Sequence, residues 1–508
     1  MRFDGPSGFL VTGTALAALA SCGDNLPGLY TQGEFAPSVM FQATCETPRD
    51  GIDPGTGALF PDIEGTPEHE KLWLRSWTHE LYLWYRDVPD PDPATYPTAL
   101  DYFDVLRTPD LTPSGRPKDQ FHFTYATEDW QALSQSGLAA GYGATFSITA
   151  SMPPRQVVVA YNEPGSAAAD ANLDRGAEIL TIDGVSVIDG NDVDTLNAGL
   201  LPASVGETHT FIVRDLGATE AREITLTSAS VESVPVQKVM ALETTDGPVG
   251  YMVFNDHIAT AEPALLDAVT DLADAGITDL VLDMRYNGGG FLDIASELAY
   301  EIAGPDATRG QTFEQVAFND QYPGIDPFSG QPIEPLPFHD RTTPGIATPT
   351  GDVPLPSLSL PRVFILTGPA TCSASEAVMN GLRGIDVEVI QIGTTTCGKP
   401  YGFFPTDNCG TTYFSIQFQG VNAKGFGDYA DGFTPAADGE AGLPGCPVED
   451  DFTHALGDPD EARLAAALYY RENGACPTAA RRGAVRTLSA VDGRVAKSIW
   501  QQNRILVR

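Results

Sequence analysis

The spacing of apolar positions changes several times along the chain, and each change predicts a different kind of element. From Glu68 to about Asp129 the pattern is helical and aromatic, with Leu72, Trp73, Trp77, Leu81, Trp84 and Tyr85 at helix-like intervals. A stripe of this kind is chiefly core. From about Gly137 to Ser230 the period shortens to that of strands, at 157–161, 178–182, 209–213 and 224–226, with two short helical stretches between them. From Val249 onward strands and helices alternate. Residues 251–254 read as a strand, 263–275 as an amphipathic helix carrying Leu265, Leu266, Val269 and Leu272, and 280–284 as a nearly continuous apolar strand of the buried type. A second helix is expected over 291–302, and strand patterns recur at 363–366 and 387–390 around a helix that opens near Ser373. Such alternation predicts an α/β domain. Residues 304–360 are proline-rich and acidic and exceed an ordinary connection, which suggests a lid or an edge insertion. From Gly23 to about Thr66 no period is evident, as in a tether or wrapping segment.

A length of 508 residues exceeds one average domain. The expected fold class is α/β multidomain, divided into an N-terminal signal (1–22), a linker (23–66), a helical N-terminal subdomain (67–130), a β domain (136–230), an α/β core (235–476) and a basic tail (477–508). A formal net charge of -39 repels phosphate backbones and argues against nucleic acid as a partner. Charged residues make up only 19%, so the chain is not an acidic disordered one. Met1-Arg2 is followed by an apolar stretch from Phe9 to Ala20 and then Leu19-Ala20-Ser21-Cys22, which resembles the lipobox of bacterial lipoprotein signals. The stretch is too short to span a bilayer, and Asp4 beside Arg2 weakens the charged region. These residues predict a lipid anchor on Cys22 and a place in the cell envelope, periplasmic or extracytoplasmic. Six further cysteines, Cys45, Cys372, Cys397, Cys409, Cys446 and Cys476, are an even set that suits disulfides in an exported chain. They can pair in about 15 ways, and a Cys397 to Cys409 loop beside Lys399 is one option. No C-x2-C pair exists and the seven histidines are scattered, so no metal is expected, and no other cofactor.

Thr371-Cys372-Ser373-Ala374-Ser375-Glu376 places a serine at the start of a predicted helix, where unpaired N–H groups and the helix dipole favour developing negative charge. Ala374 N–H is a natural oxyanion donor. Taken alone, S-x-x-E is more often a capping box. A serine needs a base, and a lysine serves if burial lowers its pKa. Lys399, in Gly398-Lys399-Pro400, is one of six lysines and has uncharged neighbours. The strand at 280–284 runs into Arg285-Tyr286-Asn287-Gly288-Gly289-Gly290, where glycines let backbone N–H groups approach a bound oxygen. No G-K-[ST] follows and the G-x-G-x-x-G spacing is absent, so an oxyanion role for Gly288 or Gly289 is preferred to a phosphate loop.

Residues 165–184, from Gly165-Ser166-Ala167-Ala168-Ala169 to Ile182-Asp183-Gly184, resemble the PDZ domains of bacterial proteases. The resemblance implies peptide capture by strand addition, with Gly141-Tyr142-Gly143 as the loop that offers N–H groups to a terminal carboxylate. The order of this segment, Asp283 to Gly290, Ser373 and Lys399 resembles the S41 serine peptidases, the family of C-terminal processing proteases, over about Glu68 to Pro477. That likeness implies a ClpP/crotonase-like α/β core, protein or peptide substrates, Ser373 as nucleophile and Lys399 as base. Many processing proteases place a glutamine four residues after the lysine. Here Phe403 stands there, so another group must orient Lys399.

Three other readings stay open. One is a catalytically silent PDZ peptide-binding surface lipoprotein, one a tricorn-like Ser-His peptidase with His79 as the histidine, and one a non-peptidase hydrolase on a crotonase-like scaffold. After Cys476 the tail holds seven basic residues against Asp492. Its ordinary role is an electrostatic clasp on the acidic body, and a sharper one has Ile505-Leu506-Val507-Arg508 mimicking a substrate terminus.

Overall fold

The computed structural model describes residues 30–54, 57–347, 351–436 and 442–477 together with the strand Arg494–Ala496. Cys22 and Ile505 to Arg508 lie outside the described residues. The chain forms mixed α/β domains, as its pattern predicts.

The largest α/β unit is built on one sheet whose strands lie in the order Val236–Leu242, Val249–Phe254, Asp279–Asp283, Arg362–Thr367, Glu388–Gly393, Leu443–Pro447 and Pro435–Ala436. The first pair is antiparallel and the rest are parallel. Parallel strands are covered on both faces, which explains why 249–254 and 279–283 are buried at every position. Helices Ala261–Asp274, Leu292–Thr308 and Ala374–Gly384 contribute to one apolar core, and Ala462–Asn473 contributes to a second core that includes Val253, Val281, Phe364 and Ile392. The helix Leu292–Thr308 breaks at Gly304, whose φ of 76° is left-handed and which precedes Pro305.

Among the described residues of 304–360 there is regular structure. Their strand Thr312–Phe318 pairs antiparallel with Phe418–Val421, and Phe313 is 1% exposed. The helix Pro67–Leu81 buries Leu72, Trp73 and Trp77 but stops before Trp84 and Tyr85, because Tyr82 turns to extended backbone at φ -60°, ψ 132°. The following strand Phe123–Ala126 pairs with Thr411–Phe414, so the N-terminal region is hydrogen-bonded into the second half of the chain.

Between them lies an antiparallel sheet ordered Arg222–Thr227, Thr208–Arg214, Glu178–Ile182, Gln156–Asn162, Ala144–Ala150 and Arg494–Ala496. Helices Ala167–Asp170 and Val193–Leu200 contribute to its core. Arg175 fixes this unit against the larger sheet by donating to Tyr286 Oη at 2.6 Å and Asp450 Oδ1 at 2.6 Å.

The disulfides are Cys45–Cys409, Cys372–Cys397 and Cys446–Cys476. The Cys397 to Cys409 loop is therefore corrected. Sequence proximity suggested that pair, but in space Cys397 reaches the residue before Ser373, and Cys409 reaches a cysteine 364 residues earlier.

Candidate active site

Ser373 stands at the N-cap of the helix Ala374–Gly384 with φ 56° and ψ -116°. This backbone region is costly for a serine, and such strain persists only where surrounding contacts over-determine it. Those contacts are dense. Cys372 N–H donates to Asn287 O at 3.0 Å, Ser375 Oγ donates to the same carbonyl at 3.1 Å, and Thr371 Oγ1 donates to Met284 O at 2.8 Å. The strand-end turn of one βα unit thus carries the serine of the next.

Gly289 shows how close the turn comes. A Cβ there would lie 2.8 Å from Ser373 Cβ and 2.9 Å from Ala374 N, and its φ is +94°. Only glycine fits. Gly289 N–H, however, donates to Asn287 Oδ1 at 2.9 Å. Gly288 N–H and Ala374 N–H have no hydrogen-bond partner among the described residues. The turn is braced from behind by His257, which is fully buried and within 3.0 Å of Asn287 Oδ1 through Nδ1. Sequence reasoning missed His257, and a lone histidine offers no signal until Asn287 is known to face it.

Lys399 lies beside the same helix end. Ser373 N–H and Lys399 N–H both donate to Glu376 Oε2, at 3.0 and 2.8 Å. Gly398 N–H and Thr396 Oγ1 donate to Glu376 Oε1 at 2.9 and 2.5 Å. Glu376 is fully buried, and burial pushes its carboxyl up against these hydrogen bonds. One carboxylate therefore ties the serine turn to the lysine turn, a task that the capping-box reading of S-x-x-E did not reveal.

Lys399 is 8% exposed. Burial pushes its ammonium down from 10.5 to about 7, against the opposing pull of the Asp119 and Glu376 carboxylates. Its Nζ lies 3.8 Å from the Phe403 ring centroid and 5.2 Å from that of Phe121. The residue standing in place of glutamine thus contacts the lysine through its aromatic face. No hydrogen bond joins Lys399 Nζ to Ser373 Oγ in this arrangement. Arg116 holds the turn by donating to Cys397 O at 3.2 Å and Ala430 O at 3.1 Å. Phe121, Asp119 and Arg116 all come from the N-terminal region.

His79 stacks on Phe35 at 3.7 Å and meets Tyr85 edge-on at 5.2 Å, both within the N-terminal region. Cys372, Glu376 and Cys397 form a cluster with ligand atoms within 4.8 Å of one another, but its sulfurs are joined in a disulfide and offer no thiolates. Gly141-Tyr142-Gly143 links the strand Leu138–Gly141 to Ala144–Ala150. Gly143 has φ +78° against Ser166, whereas the Tyr142 ring is buried beside Phe211 at 5.7 Å and belongs to the core. Two surface depressions of about 580 and 350 Å³ are lined by Arg175 and Arg222 and by Trp84 and Phe318, away from Ser373.

Residues 248–406 match the model of peptidase family S41, and residues 70–125 match the peptidase S41 N-terminal domain. A carboxyl-terminal-processing protease of Picosynechococcus sp. is 25% identical over 273 residues, 53% of this chain and 56% of that protein. The chain thus matches about half the length of that relative. The structure of a candidate S41 protease from Bacteroides fragilis superposes with a TM-score of 0.58 at 23% identity, covering 81% of this chain and 98% of the other, which speaks for the fold. The chain thus carries two segments similar to peptidase family S41, the N-terminal domain followed in order by the peptidase domain.

Proposed function

We propose that this chain is a serine endopeptidase that cleaves proteins or peptides near their C-termini through Ser373 and Lys399. The observation that carries the reading is the shared Glu376 carboxylate, which holds both backbones on one oxygen while the lysine is buried to a pKa of about 7. Neutral Lys399 takes the proton of Ser373 Oγ as the serine attacks the scissile carbonyl. The oxyanion then meets Ala374 N–H at the helix start and Gly288 N–H from the glycine turn. Protonated Lys399 returns the proton to the leaving amine, and water hydrolyses the acyl-enzyme by the same path reversed. For Lys399 to act, its Nζ must swing from the Phe403 ring to the serine. If Ser373→Ala hydrolysed peptides as fast as the parent, the nucleophile assignment would be wrong. If Lys399→Ala stayed fully active while His79→Ala lost activity, the dyad would give way to a Ser-His mechanism.

Substrate capture is assigned to the antiparallel domain, read as a PDZ domain. An extended peptide would pair with the side of Ala144–Ala150 that faces away from Gln156–Asn162, with its carboxylate at Gly141-Tyr142-Gly143. Support comes from the strand Arg494–Ala496, which pairs antiparallel along that side, Ala496 opposite Phe146. The chain's own tail thus occupies, through Arg494–Ala496, the edge that a substrate would use.

We also propose attachment to the cell envelope through a lipid on Cys22, supported by the lipobox-like residues and by three disulfides, which suit an oxidising compartment. Among the described residues no helix is long and apolar enough to cross a membrane. Cys22→Ser should move the protein from the membrane to the soluble fraction, and unchanged partitioning would refute the anchor.

A further inference from the structure

We propose that the Cys372–Cys397 disulfide is a redox-sensitive positioning device for the Ser373–Lys399 pair, an inference that rests on the peptidase reading above. Cys372 immediately precedes Ser373, and Cys397 lies two residues before Lys399. The bridge closes 25 residues of sequence separation and sets the two Cα atoms 5.2 Å apart, so it clamps the serine turn to the lysine turn. A backbone hydrogen bond, Cys397 N–H to Thr371 O at 3.0 Å, runs alongside it. Without the covalent link the lysine turn would rest on hydrogen bonds alone, that one, those to Glu376 and Arg116, and those of Thr396 with Phe433 and of Pro400 with Gly420.

Accessibility singles this bridge out. Both of its cysteines are half-buried, whereas in each of the other two bridges one cysteine, Cys45 or Cys446, is fully buried. A dithiol should therefore reach it first. The attacking thiolate forms a mixed disulfide with one sulfur and releases the other as a thiolate. The second thiol of the reagent then displaces the remaining sulfur. Two electrons and two protons pass to the protein cysteines and the dithiol leaves as its cyclic disulfide. Released, Cys397 lets the Gly398-Lys399 turn relax, the lysine becomes more hydrated, and its proton affinity rises toward that of a free lysine.

The test uses the full chain with dithiothreitol and a chelator, the latter so that the freed thiols and Glu376 cannot capture a metal. Partial reduction is mapped by thiol alkylation and mass spectrometry while peptide hydrolysis is followed. Loss of kcat should track reduction of Cys372–Cys397, reaching at least about tenfold with KM changed by less than about twofold, and the ascending limb of the pH–rate profile should move to higher pH. Reoxidation should restore both. The C372S/C397S double variant should show the reduced behaviour and ignore the dithiol. The proposal is overturned if kcat and the pH profile survive quantitative reduction of this bridge, or if their loss follows another bridge. Should the double variant fail to fold, the mapping on the parent still decides. If Ser373→Ala abolishes hydrolysis while bridge reduction changes nothing, only this inference fails. If Ser373→Ala is active, the underlying peptidase reading fails instead.

Discussion

A carboxylate buried between two turns must find donors for both oxygens, and Glu376 finds them in the N–H groups of Ser373, Gly398 and Lys399 and in the Thr396 hydroxyl. Glu376→Gln keeps the shape but turns one acceptor into an NH2 donor facing N–H donors. We expect kcat to fall by about 10- to 100-fold, with a lower melting temperature, in steady-state kinetics paired with thermal unfolding. An unchanged kcat would mean that the turns hold their places without it. Lys399 gives two pH signatures. As base it must be neutral, so kcat/KM should rise with pH through about 7. For stability the sign follows from its folded pKa lying below the unfolded value. Between about 7 and 10.5 the unfolded chain binds the extra proton, so this group's contribution grows as pH rises through that window. Urea unfolding between these limits should show that slope in the parent and a flatter one in Lys399→Met, and equal slopes would remove the buried lysine from the account.

At the level of elements, the strand Arg494–Ala496 lies along Ala144–Ala150 in the place proposed for substrate. A chain ending at Cys476 should therefore hydrolyse and bind C-terminal peptides better than the parent, and Val495→Pro, which puts a proline at the middle of the paired strand, should do so in part. Equal or lower peptide affinity in both would mean that the tail is a structural strand. Elements with strong local period were readable from sequence. The strand Glu178–Ile182 and the helix Ala261–Asp274 stand within two residues of where the apolar pattern puts them. Thr312–Phe318 was hidden in the proline-rich stretch because its partner, Phe418–Val421, lies about a hundred residues on, and pairing at that distance leaves no local periodicity. Trp84 and Tyr85 keep the helical spacing of the aromatics although the helix ends at Leu81, because that spacing persists into the irregular turn that follows.

Across the whole molecule the site is shared. The peptidase domain supplies Ser373, Glu376 and Lys399, while the N-terminal domain supplies Phe121 at the lysine, Arg116 on its turn and the Asp119 charge. The Cys45–Cys409 disulfide and the pairing of Phe123–Ala126 with Thr411–Phe414 fasten the two together. Ser373, Lys399 and the glycine turn could be proposed from sequence because each sits in a short local motif, and the structure places them on adjoining turns. Phe121, His257 and the disulfide partners could not, because their meaning lies in which distant segment they touch. The account rests on Ser373 being the acylated nucleophile and Lys399 its base. The most direct measurement is intact-protein mass spectrometry of the rate of labelling by a serine-reactive fluorophosphonate, for the parent, Ser373→Ala and Lys399→Ala at pH 8. The account predicts a single adduct on Ser373 in the parent, none in Ser373→Ala, and labelling slowed by about 100-fold or more in Lys399→Ala. Labelling of Ser373→Ala at the parent rate, or undiminished labelling of Lys399→Ala, would contradict it.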